Sequence, residues 1–121
     1  MKKNLKIIAA CQDVGGCNAV YPVVRELRRK GSKVSLFVSK YSVGVLKRKR
    51  VRFTEIAPQR FKRINRILER ENPNLILLGT SSGYSLEDVF VEEAKKRNIP
   101  SLAILDSWVN YASRFSDSSS R

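Results

Sequence analysis

The stretch LKIIAACQDVGGCNAVYPVVRELRRKGSKV, residues 5–34, decides the fold. Leu5–Cys11 is apolar except for Lys6, the pattern of a strand buried on both faces. Gln12–Asn18 is a glycine-bearing loop. From Ala19 to Lys30, Val20, Val23, Val24 and Leu27 recur at i, i+3, i+4 and i+7, the spacing of an amphipathic helix. Pro22 fits only the first turn of such a helix, where a missing N–H leaves no bond unmade. Gly31 suits the helix stop. Lys33–Ser39 (KVSLFVS) is a second strand. Strand, loop, helix and strand together make one βαβ unit, and such a unit needs a parallel sheet.

The same alternation continues outward. Tyr41–Lys49 is a short helix weakened by Gly44, and Val51–Ile56 is a third strand. Gln59–Asn72 is a helix with Phe61, Ile64, Ile67 and Leu68 on its inner face, ended by Pro73. Asn74–Thr80 is the fourth strand. Ser85–Asn98 is a helix with Ser85 as N-cap and with Glu87 and Asp88 serving the positive end of its dipole. Ser101–Asp106 is the fifth strand. The prediction is an α/β fold: one three-layer domain over residues 1–115 and a polar tail over 116–121. Its five-stranded parallel sheet takes the order 3-2-1-4-5. Ligands in such a sheet bind beyond the carboxyl ends of the strands, at the crevice between strands 1 and 4.

Composition narrows the chemistry. A chain of 121 residues is enough for one domain. It contains no histidine, which removes a Ser-His-Asp triad and any His-based metal site. Cys11 and Cys17 alone do not make a zinc site, so no metal and no cofactor are expected. No apolar run approaches the ~20 residues of a membrane span. Ile7–Ala10 is too short for the core of a secretion signal. The expected location is therefore cytoplasmic. There Cys11 is a core residue, Cys17 is unreactive, and the two do not pair. The net charge is +13, and 16 of the 24 basic but only 3 of the 11 acidic side chains fall within residues 25–70. The plain reading of that field is solvated helix faces. As a partner surface it suits peripheral contact with an anionic membrane first and nucleic acid second.

Three polar loops converge on the predicted crevice. The first offers Asp13, Gly15, Gly16 and Asn18, two glycines ahead of a helix where backbone N–H groups can approach an anion. It lacks both the dinucleotide and the P-loop patterns. The second offers the hydroxyls of Thr80, Ser81 and Ser82, then Gly83. The third begins with Asp106. Asp13 and Asp106 are the acid/base candidates. Beyond them Trp108, Tyr111 and Phe115 fall at i, i+3 and i+7, an aromatic stripe expected at an interface. It meets its own sheet edge, a second domain or a partner chain.

The order of these motifs resembles the N-terminal Rossmann-like domain of GT-B-type glycosyltransferases and of the related sugar-nucleotide 2-epimerases. The resemblance lies in Asp13-x-Gly15-Gly16-x-Asn18-Ala19-x-x-Pro22-Val23 with Leu27 and Gly31, in Lys30-Gly31-Ser32-Lys33-Val34 entering strand 2, in Pro73-Asn74-Leu75-Ile76-Leu77-Leu78-Gly79-Thr80-Ser81, and in Ile99-Pro100-Ser101 entering strand 5. It covers residues 5–106. In that fold the first domain holds the acceptor and the second holds the nucleotide-sugar donor, with reaction between them. The resemblance implies the acceptor-side half of a transferase or epimerase, inactive without a donor-binding second domain. It implies a phosphorylated or sugar ligand and, as partner, a second GT-B domain chain; the aromatic stripe itself leaves a homodimer open. Gly15, Gly16 and Asn18 would meet acceptor or diphosphate, Thr80, Ser81, Ser82 and Gly83 would supply donors, and Asp106 would orient a sugar. The chain departs from the lipid-acceptor members in having Cys17 and Asn18 where a histidine often stands. Two other classes fit the residues: a non-catalytic module binding a nucleotide or phosphometabolite, and a basic nucleic-acid-binding protein.

Overall fold

The computed structural model describes residues 5–81 and 84–104. Five parallel strands, β1 (Lys6–Cys11), β2 (Lys33–Val38), β3 (Thr54–Glu55), β4 (Leu75–Leu78) and β5 (Ser101–Ala103), form one sheet in the order β3-β2-β1-β4-β5. The expected order holds. The helices are α1 (Val14–Arg29), α2 (Val43–Arg48), α3 (Ile64–Glu71) and α4 (Leu86–Lys96), with 3-10 turns at Lys40–Ser42 and Pro58–Arg63 leading into α2 and α3.

Alternation along β1 builds two cores. Ile7, Ala9 and Cys11 face a layer holding Val20 and Val24 of α1 and Leu46 of α2. Ile8 and Ala10 face Ile64 and Leu68 of α3 and Leu86, Phe90 and Ala94 of α4. Burying each large side chain contributes about 1.5–3 kcal/mol. The switch of helices from one face to the other occurs between β1 and β4, and that opens the crevice.

Several boundaries differ from the sequence expectation. α1 begins at Val14, not Ala19, so Gly15 and Gly16 lie in its first turn. Pro22 consequently sits in the helix interior, at a cost of about 3 kcal/mol. Complete burial of Cys17, Val20 and Val24 on the same helix offsets that cost. β3 shrinks to two exposed residues because Val51 is held elsewhere. Its N–H bonds back to Leu46 O at 3.1 Å, closing the end of α2. Asn72, with φ 45°, ends α3 ahead of Pro73 as expected.

The two cysteines overturn an expectation outright. Cys11 and Cys17 form a disulfide, with Cα atoms 5.2 Å apart and both side chains fully buried. The physical reason is the early start of α1. It swings Cys17 inward over the last residue of β1, whereas a loop through Asn18 would have left it outside.

Candidate functional site

The crevice is built by the ends of β1 and β4 and the starts of α1 and α4. Two glycines let these segments meet. A Cβ on Gly16 would lie 2.9 Å from Thr80 O and 3.2 Å from Thr80 N. A Cβ on Gly79 would lie 3.2 Å from the Cys11 Cβ, the Glu87 Oε2 and the Gly16 carbonyl carbon. Gly16 and Gly79 thus pack α1 against the β4 loop, whereas Gly15 is exposed on the first turn of α1.

A buried carboxylate ties the loops together. Glu87 is 5% exposed, at the second position of α4. It accepts the Gln12 N–H at 3.1 Å and the Ser81 hydroxyl at 3.0 Å. Ser81 Oγ in turn accepts the Asp13 N–H at 3.2 Å. The Gln12 side-chain oxygen accepts the Leu86 N–H at 3.0 Å, and the Ser42 hydroxyl donates to Gln12 O at 2.8 Å. Burial pushes the Glu87 carboxyl above the ordinary carboxylate range, and hydrogen bonds from its own N–H, Ser85, Gln12 and Ser81 pull it partly back. The sequence assigned Glu87 to the helix dipole. The structure shows that it clamps two loops instead. The signal was present: Asp88 already closes a capping box with Ser85, accepting the Ser85 N–H at 2.8 Å, so Glu87 was surplus to the cap.

The two helix N-termini are therefore unequal. At α4 the first turn carries Glu87 and Asp88, and Gln12 accepts from Leu86. At α1 the first turn carries no acidic residue, and the Asp13 side chain makes no capping hydrogen bond. The N–H groups of Val14, Gly15 and Gly16 have no helical acceptor. The positive end of α1, a 16-residue helix, faces the crevice with Asp13 at its N-cap.

Of the residues singled out from sequence, the structure brings together Asp13, Gly15, Gly16, Thr80 and Ser81. Asn18 is exposed on the second turn of α1. The Ser81 hydroxyl is engaged with Glu87, and the Thr80 backbone carries Gly16. Ser39 Oγ, at the end of β2 beside this region, is a buried side-chain polar atom with no hydrogen-bond partner among the described residues. Ser82, Gly83, Asp106, Trp108, Tyr111 and Phe115 lie outside the described residues. Among the described residues there is no His/Cys/Asp/Glu group able to hold a metal, and no helix long and apolar enough to cross a membrane.

No protein-family model matches the chain, and no curated protein matches it. Solved structures do. A UDP-GlcNAc 2-epimerase from Neisseria meningitidis, bound to UDP-GlcNAc, superposes with TM-score 0.69 at 15% identity, over 89% of this chain and 35% of that one. The glycotransferase of kitacinnamycin gives 0.69 at 14% identity over 98% and 35%. MurG of Acinetobacter baumannii gives 0.60 at 14% identity over 87% and 38%. The chain folds as a GT-B-like Rossmann domain. It spans little more than a third of the length of these enzymes.

Proposed function

We propose that this domain is the acceptor-side half of a GT-B-like glycosyltransferase or sugar-nucleotide epimerase, and that it turns over no substrate without a donor-binding second domain. The observation that carries this reading is the β1/β4 switch, where α1 begins with no acidic residue in its first turn, in a fold shared with enzymes more than twice as long. An anionic group, phosphate or diphosphate, would sit on the N–H groups of Val14, Gly15 and Gly16. Asn18 and Thr80 would meet adjoining hydroxyls. Ser81 and Glu87 would hold the two loops in register. Asp13 is the acid/base candidate within the described residues, and Asp106 with Ser82 and Gly83 would complete the site from the neighbouring loops.

The test is amide chemical-shift mapping of the 121-residue chain with UDP-GlcNAc and with UDP. Shifts confined to Asp13–Asn18 and Gly79–Ser81 are expected, and Gly15→Val should remove them while leaving the rest of the spectrum in place. Shifts elsewhere, or none, would refute the site. Sugar transfer or epimerisation by the chain alone would refute its role as a half-enzyme.

A further inference from the structure

The basic field seen in the sequence is divided by the fold. Arg60, Lys62, Arg63, Arg66 and Arg70 belong to the 3-10 turn and helix on the α3 face. Much of the remainder gathers at one corner on the α1/α2 side. α1 and α2 run antiparallel to the strands, so their C-terminal ends lie at the edge of the sheet opposite the crevice. That corner carries Arg25, Arg29, Lys47, Arg48, Lys49, Arg50 and Arg52, all exposed.

The corner is constructed, not incidental. Arg25 Nη2 donates to Lys49 O at 2.7 Å, and its guanidinium stacks over Tyr21 at 5.2 Å. Arg28 donates to Val34 O at 2.9 Å and to Arg52 O at 3.1 Å. Two guanidiniums thus strap the 49–52 turn onto α1 by its carbonyls and leave the turn's own cationic heads outward. Arg50 occupies the left-handed position that closes α2, φ 58°, with its N–H on Lys47 O at 3.1 Å. Glycine or asparagine suits that position, as at Gly31, Asn72 and Asn98. The left-handed backbone is unfavourable for an arginine, so stability does not account for it.

Lys47, Arg48, Lys49, Arg50 and Arg52 make no ion pair among the described residues, and only Arg29 is paired, with Glu26. Burial and the Arg52 charge push the Arg28 pKa down, as expected of cations crowded without a counter-charge. Among the described residues, no large apolar side chain is exposed within the corner. Interfacial membrane binding draws on buried apolar area as well as charge, and this corner supplies charge alone. Its compact charge density suits a duplex, which carries one phosphate charge per ~1.7 Å of axis.

We propose that this corner binds the phosphate backbone of nucleic acid without sequence preference. The site lies at the edge opposite the crevice and is independent of the sugar-ligand reading. The test is fluorescence anisotropy of the 121-residue chain with a labelled 20-base-pair duplex of arbitrary sequence, titrated between 50 and 200 mM KCl. Five neutralised phosphates give a slope of log K against log salt near −4.5, or about a 500-fold loss over that range. The variant Lys47→Gln/Lys49→Gln/Arg50→Asn preserves the turn, because asparagine accepts the left-handed position and Arg25 holds a backbone carbonyl. Its slope should fall to about −2, with at least tenfold weaker binding at 50 mM and a melting temperature no lower than the parent's. Arg63→Gln/Arg66→Gln, on the other face, should leave the slope unchanged. No binding at 50 mM, or equal losses in both variants, would overturn the proposal. So would tighter binding to vesicles containing phosphatidylglycerol than to the duplex, which would assign the corner to a membrane.

Discussion

Replacing Gly16 with alanine separates packing from ligand chemistry in the glycine pair. The added Cβ would lie 2.9 Å from Thr80 O and 3.2 Å from Thr80 N, both backbone atoms fixed by the β4 loop. Ordinary contact begins near 3.4 Å, so α1 or the loop must move by about half an ångström, and overpacking of this kind costs about 1–3 kcal/mol. Alanine returns at most about 1 kcal/mol of helix propensity. The expected net loss is about 1–2 kcal/mol. Gly15→Ala is the internal control. That residue is exposed, lies in the same helical turn and has no positive φ. It should gain about 0.4–1 kcal/mol through the unfolded chain. Urea unfolding of both variants measures the difference, which at a slope of ~1.5 kcal/mol/M comes to about 1–2 M in midpoint. If Gly16→Ala is as stable as Gly15→Ala, α1 does not approach the β4 loop as described, and the crevice geometry fails with it.

Other consequences are as direct. Reducing the Cys11–Cys17 bond, or replacing both residues with alanine, should cost about 2–3 kcal/mol from loop entropy alone, read as a lower urea midpoint in dithiothreitol. An unchanged midpoint would show that the bridge does not constrain the unfolded chain. Glu87 has a folded pKa raised above its unfolded value, so its contribution is present below the unfolded pKa and is lost as pH rises through the raised one. Glu87→Gln, which cannot ionise, should therefore gain stability relative to the parent as pH is taken from 4 to 8. A flat difference across that range would refute the burial argument. Gly44 has only the Arg48 guanidinium near a would-be Cβ, at 3.6 Å, so Gly44→Ala in α2 should raise stability by about 0.5–1 kcal/mol in thermal unfolding. Destabilisation there would mean that α2 needs the glycine for its conformation.

Legibility followed the range of the interactions involved. The apolar alternation of Leu5–Cys11 and the spacing of Val20, Val24 and Leu27 record which faces are buried. The N-cap at Ser85 and the stop at Asn72-Pro73 are local chemistry and stand where the sequence placed them. The start of α1 was misread because Gly15 and Gly16 look like loop residues to any local rule. What makes Gly16 helical is a neighbour at Thr80, far along the chain.

By itself, the sequence determined the alternation of buried strands and amphipathic helices, and with it the parallel sheet and the crevice between β1 and β4. It also determined the surplus of positive charge. Tertiary structure decided the rest. It paired Cys11 with Cys17, turned Glu87 from the α4 dipole to Gln12 and Ser81, engaged the Ser81 hydroxyl, and set Asp13 rather than a capping box at the start of α1. It also split the basic field between two faces and gathered Arg25, Arg29 and the cations of residues 47–52 at one corner. The clamp bonds join residues 68 to 75 positions apart. Periodicity reports burial one segment at a time, whereas a bond between segments exists only once the sheet has set their distance.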